Sequence, residues 1–140
     1  MSHYTQVKTT YKSISDLVGA HCECGFTEDQ IQVSEENDMT LYGWKGKTRR
    51  GEDGKIIKGA VRIAREFVGS ASNDIGFIKE DDGTYTAIIS QYDTNNYGQP
   101  WQNKLKREYN ARIATRQLKR KGYRVNITRT ENNIRVEGKM

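Results

Sequence analysis

The chain has 140 residues, of which 34% are apolar and 29% charged, with a formal net charge of +5. That length suits one soluble domain and leaves little room for a second independent core. No window approaches the roughly 20 apolar residues that cross a bilayer, and the opening MSHYTQVK lacks the apolar core of a secretory signal.

In chain order, Tyr4 to Thr9 is rich in aromatic and β-branched residues and reads as a strand. Ser13 then caps a helix containing Ile14, Leu17, Val18 and Cys22, with Asp16 placed for a capping-box-like start and Gly25 as its end. Gln30 to Val33 is a short strand, and the acidic run Glu35-Glu36-Asn37-Asp38 is a solvated loop. Met39 to Trp44 has strand composition and leads through a basic stretch to Asp53-Gly54, a dipeptide suited to a tight hairpin. In Lys55 to Phe67 the odd-numbered Ile57, Val61 and Ile63 favour a strand, with a helical turn over Ala64 to Val68 as the alternative.

The clearest hairpin joins Ile75–Ile78 to Tyr85–Tyr92 through Asp82-Gly83, a pair that accepts positive φ. Asp93 to Gly98 reads as a polar loop. Pro100 suits a first helical turn, so a long helix is expected from about Trp101 to Lys121, ended by Gly122. Val125 and Ile127, then Ile134 and Val136, alternate with polar residues around Glu131-Asn132-Asn133 and form a last hairpin. Consecutive hairpins require antiparallel pairing, so the expected fold is α+β: a single domain over residues 1–140, with two helices packed on a curved antiparallel sheet.

Within that order, Met1-Ser2-His3-Tyr4 with Lys8-Thr9, Tyr42-Gly43-Trp44, Asp74-Ile75-Gly76-Phe77, Asp82-Gly83-Thr84-Tyr85, Lys104-Leu105 with Tyr109, and Gly122-Tyr123 form a series of landmarks. Together they resemble the hypothetical chloroplast open reading frame 35 family, a small family found in cyanobacteria, algal plastids and some phages. The resemblance implies a soluble single-domain protein and carries no established reaction or catalytic residues. The expected location is the cytoplasm, or, depending on source, the plastid stroma or an infected host's cytoplasm. Cys22 and Cys24 are too few and too close to staple a secreted fold, which fits a reducing compartment.

Several motifs suggest chemistry and fall short of it. His21-Cys22-Glu23-Cys24 resembles a metal or nucleophile site, yet residues two apart on a helix diverge by about 200°, and no second Cys/His pair completes four ligands. Gly46-Lys47-Thr48 echoes a phosphate loop, but Leu41 stands where that loop needs glycine and a hairpin follows instead of a helix. No metal, cofactor or catalytic residue is assigned, and nothing points to an enzyme. A small site built from Asp93, Tyr97 and Lys104 is the weakest of the readings.

Charge placement is more informative. Residues 1–100 carry 11 basic and 15 acidic side chains, whereas residues 101–140 carry 12 basic and 3 acidic ones. An acidic body of −4 therefore precedes a basic segment of +9. The long helix holds Trp101, Leu105, Tyr109 and Ile113 every four residues, a stripe for packing, among cations spread around its circumference. Cations at 116–121 would also stabilise the helix C-terminus by roughly 0.3–1 kcal/mol each through its macrodipole. Tyr92, Tyr97, Trp101, Tyr109 and Tyr123 flank this region, and ring burial decides whether any can stack on a base.

These features point to a non-enzymatic module that binds phosphate-bearing ligands, nucleic acid or nucleotide, without a cofactor. Its candidate residues are Lys45, Lys47, Arg49 and Arg50 at the basic turn, Arg112, Arg116, Lys119, Arg120 and Lys121 on the helix, and the rings of Tyr97 and Trp101. The alternative is an adaptor or homo-oligomeric accessory protein acting through protein–protein contacts, in which strand edges and opposite charges meet a partner. No membrane association is expected.

Overall fold

The computed structural model describes residues 4–140, with side chains from Tyr11 onward. Met1-Ser2-His3, the first of the family landmarks, lies outside the described residues. The class is α+β as expected: every strand pair is antiparallel and helices alternate with hairpins. The fold divides into two compact units, one formed by the chain through Lys12 with Thr27–Gly98, the other by Ser13–Phe26 with Gln99–Met140.

The first unit is built on a five-stranded sheet of β1 (Tyr4–Tyr11), β2 (Ile31–Val33), β5 (Val61–Ile63), β6 (Ile75–Lys79) and β7 (Tyr85–Ser90), in the order β1-β7-β6-β5-β2. A separate two-residue pair joins β3 (Met39–Thr40) to β4 (Lys58–Gly59). The register sets Val61 beside Phe77 and Phe77 beside Ala87, three buried side chains across adjacent strands. Every residue of β7 is buried, as expected for a strand covered on both faces. At Gly76 the space a side chain would need is filled by Leu41, whose side chain is buried. The β6–β7 turn closes as expected through Gly83 at φ 84°.

Three expectations need correction here, and side chains that capture backbone groups explain two of them. Met39 to Trp44 forms a continuous strand only at Met39–Thr40, with an isolated antiparallel bridge from Tyr42 to Thr48. Beyond it, the Tyr42 and Trp44 N–H groups donate to the carboxylate of Asp74 and the amide oxygen of Asn73, at 2.7 and 2.9 Å. Lys55 to Phe67 is not one strand: after β4 and β5 the helical alternative is realised as α2 (Arg65–Val68). Its capping position, Ala64, has no side chain to offer, and Asp74 Oδ1 accepts the Arg65 N–H at 2.7 Å instead. Finally, the polar segment after Ser90 forms a 3-10 turn and then α3 (Thr94–Tyr97), with Tyr92 inside the turn instead of on β7. Thr94 Oγ1 donates to Gln91 O within it.

The second unit contains α1 (Ile14–Glu23), α4 (Gln99–Arg120) and the hairpin of β8 (Arg124–Arg129) and β9 (Ile134–Lys139). Ser13 caps α1 as expected, its hydroxyl accepting the Asp16 N–H, while the Ser13 N–H donates to the Tyr109 hydroxyl at 2.9 Å. Leu17, Ala20 and His21 of α1 and Leu105, Tyr109 and Ala111 of α4 are buried, and α4 packs along both α1 and the hairpin. Gly122, at φ 87°, ends α4: its N–H donates to Lys119 O and that of Tyr123 to Leu118 O, the two bonds of a Schellman motif. Among the described residues no helix is long and apolar enough to cross a membrane.

Candidate functional site

The end of α4 gathers cations in one place. Lys119, Arg120 and Lys121 occupy its last turn, and the Schellman turn brings the chain directly into Arg124 at the root of the hairpin. Arg124 is paired in register with Lys139, so two like charges face each other across the β8–β9 ladder. All five side chains are exposed, and among the described residues none forms an ion pair or a side-chain hydrogen bond. Opposed like charges destabilise a strand pair. The helix macrodipole offsets part of that repulsion for the residues of the last turn, but it reaches little further.

Arg112 and Arg116 are engaged elsewhere. Asp16, buried on α1, receives Arg116 through both carboxylate oxygens, at 2.9 and 2.7 Å, and Arg112 at 3.5 Å. Burial pushes the Asp16 carboxyl up, but the hydrogen bonds from Arg116 and Ser13 and the charges of both arginines outweigh it, leaving the group below its ordinary value. A second clamp lies on the buried Glu108, which accepts two hydrogen bonds from Arg129 Nε and one from its Nη2. The one acidic residue of α4 is thus consumed by the hairpin. These pairs fix the packing of the unit and remove Arg112, Arg116 and Arg129 from the supply of free charge.

The other predicted residues belong to the first unit, except Trp101. Lys47 is exposed, and Arg50 donates to Gly54 O at 2.8 Å across the turn. Lys45 is the one described non-glycine residue with positive φ, at 62°, and holds its ammonium 4.5 Å from the centre of the Trp44 ring. Arg49 turns inward instead of presenting itself at the tip: it is half-buried, lies against Gly43, and feels the charges of Asp93 and Asp74. Tyr97 is half-buried with its hydroxyl donating to Val68 O. In the second unit, Trp101 packs on His21 and meets Phe26 edge-on at 87°. Its ring is part of an aromatic cluster, as is expected of a packing stripe.

The His-Cys segment forms the last turn of α1, with Cys22 exposed. His21 is fully buried and its Nδ1–H donates to Leu17 O at 2.7 Å, which fixes the tautomer because a carbonyl only accepts. Burial lowers its pKa to about 4. Burial likewise pushes the Cys24 thiol up to about 11, the opposite of what a nucleophile needs. Among the described residues no three His, Cys, Asp or Glu side chains group as metal ligands.

Sequence reasoning missed the polar node at Asn73-Asp74. Asp74 receives the Tyr42 and Arg65 N–H groups and returns its own N–H to Tyr42 O at 2.9 Å. Asn73 donates through both its backbone and its side-chain N–H to Asp93 Oδ2, at 3.2 and 3.1 Å. All three side chains are buried. Polar residues just ahead of a strand read as a turn, and their partners lie 9 to 32 residues away, which no local pattern reveals. Burial of Asp74 raises its pKa against the two backbone donors and the charges of Arg62 and Arg65.

A family model described as "Protein of unknown function (DUF1257)" matches residues 27–137. No curated protein and no solved structure matches the chain.

Proposed function

We propose that this chain, which belongs to the DUF1257 family of proteins of unknown function, is a non-enzymatic module that binds the phosphate backbone of nucleic acid. Five exposed cations without partners among the described residues carry this reading: Lys119, Arg120, Lys121, Arg124 and Lys139 at the end of α4 and the root of the hairpin. An exposed set of point charges and guanidinium forks suits a polyanion that runs past it more than a small ligand that must be enclosed. The landmarks of the hypothetical chloroplast open reading frame 35 resemblance from Tyr42 to Tyr123 all fall inside the matched residues, and the proposal treats the two as one family.

This places the binding surface on the last turn of α4 and on the hairpin, and it reduces the role of the rest of the helix. Arg112 and Arg116 contribute only if their pairing with Asp16 is broken. The test is fluorescence anisotropy with a labelled oligonucleotide at low salt. Replacing Lys119, Arg120 and Lys121 together by Gln lowers affinity and reduces the salt dependence by nearly three units on duplex DNA. Absence of binding, or an unchanged triple variant, overturns the reading. Salt-sensitive self-association without nucleic-acid affinity would instead support the adaptor reading, which the two-stranded hairpin favours because Ile127 on it is 38% exposed.

A further inference from the structure

The first unit holds a cavity of about 500 Å³ where the Tyr42–Gly46 segment faces the chain from Arg62 to Ser70. Its size falls in the range of small-molecule sites.

The walls are held by groups that do not depend on a ligand. Asp74 lies at the base and accepts one N–H from each wall, Tyr42 on one side and Arg65 on the other, both at 2.7 Å. Its two oxygens are therefore engaged with the backbone, and what remains for a ligand is supplied by Arg62, Arg65, Ser70 and the Tyr42 ring, with Glu66 exposed at the margin. Arg62 is steadied by Nε donating to Gln32 Oε1 at 2.6 Å and Nη1 to Thr40 O at 2.9 Å, and its guanidinium carbon lies 5.8 Å from the Tyr42 ring centre. Nη2 is left over. Arg65 makes no ion pair or side-chain hydrogen bond among the described residues. Two half-buried arginines therefore line one cavity, one held by hydrogen bonds and one uncommitted, and guanidinium groups suit an oxyanion.

The cavity also has a reason to prefer more than an oxyanion. Tyr42, the aromatic residue of its lining, is 38% exposed; two residues on, outside the lining, Trp44 is 50% exposed with the Lys45 ammonium over its ring. Lys45 sits in left-handed backbone, a conformation that persists in such a residue where its surroundings impose it. That turn delivers Gly46 to the cavity lining. The Tyr42 ring beside a pair of arginines in one lining matches a planar ring carrying a phosphate.

We infer that this cavity binds a phosphate monoester bearing a planar ring, in the class of nucleoside monophosphates, with Arg62 and Arg65 holding the phosphate and Tyr42 flanking the ring. This site is separate from the basic patch of the second unit, and either can fail without the other.

The test is titration of the full chain by isothermal calorimetry with four probes: AMP, ribose 5-phosphate, adenosine and inorganic phosphate. Saturable binding of AMP, at least tenfold tighter than that of each other probe, is expected. Arg65→Gln should weaken AMP at least tenfold. Ser70→Trp, which fills the cavity from an exposed position and leaves every charge in place, should abolish binding while thermal unfolding shows the chain still folded. No saturable binding of AMP overturns the inference, as does adenosine binding equally well, which removes the phosphate, or inorganic phosphate binding equally well, which removes the ring. Full AMP affinity in both variants overturns the location. The Lys119, Arg120 and Lys121 triple variant should bind AMP unchanged, and Ser70→Trp should bind oligonucleotide unchanged, so the two sites are judged independently.

Discussion

His21 makes the stability of the second unit depend on pH in a window where few other side chains titrate. Buried against Phe26 and Trp101, it has a pKa of about 4 against an ordinary 6.5. A histidine with a depressed pKa is neutral when folded and takes up a proton more readily when unfolded, so its contribution is complete above pH 6.5 and is lost as pH falls toward 4. Linkage puts the loss at about 2 kcal/mol by pH 5 and about 3 kcal/mol by pH 4, a large share of the roughly 5–15 kcal/mol that holds a domain together. Asp16 does not interfere, because its lowered carboxyl matters only below its ordinary 3.8, and Asp74, which is raised, shifts stability in the opposite sense. The assay is urea unfolding at several pH values, followed by Trp101 fluorescence in a Trp44→Phe background, for His21 and for His21→Gln. The difference between the two cancels the carboxylates. A pH-independent difference between pH 7 and 4, or an NMR midpoint for the His21 ring near 6.5, would refute the reasoning.

Three further outcomes follow from the geometry. Asp16→Asn should lower the unfolding midpoint, and by releasing Arg116, one helical turn before Lys119 and Arg120, should steepen the salt dependence of oligonucleotide binding by about one unit; an unchanged slope would show that Arg116 cannot reach a phosphate. Gly122→Ala should destabilise by about 1–2 kcal/mol in chemical denaturation, because only glycine adopts the left-handed C-cap freely. Gly76→Ala should cost about 1–3 kcal/mol by forcing its methyl into the buried Leu41, and Leu41→Ala in the same chain should recover part of that loss; strictly additive losses would mean that the two side chains do not compete.

The elements legible in the sequence were those whose signals are local. Ser13 and Asp16 at the start of α1, Asp82-Gly83 between β6 and β7, Pro100 and Gly122 at the two ends of α4, and the alternation of Val125, Ile127, Ile134 and Val136 each act within a few residues and each appears in the fold. Between Met39 and Phe67 the turn at Asp53-Gly54 and the strands at Met39–Thr40 and Val61–Ile63 are as expected, but the strands are shorter, because Asn73 and Asp74 take up backbone N–H groups of Tyr42, Trp44 and Arg65. Charge was legible in amount but not in availability. The sequence counts Arg112 and Arg116 equally with Lys119 and Arg120, whereas the first two share a buried carboxylate one helix away, which offsets one of their two charges. Likewise Arg49 belongs by sequence to a basic turn and by structure to the interior of its unit. Arg62 and Arg65, the cations that line the cavity, lay in a stretch read as a strand and gave no signal of convergence.

The central claim is that the exposed charge at the end of α4 and the root of the hairpin meets phosphate groups. Its most direct test is the slope of log K against log salt for the unmodified chain on duplex DNA. Five contacts, one from each of Lys119, Arg120, Lys121, Arg124 and Lys139, predict a slope near about −4.5. A slope close to zero, or no measurable binding at low salt, would contradict the claim.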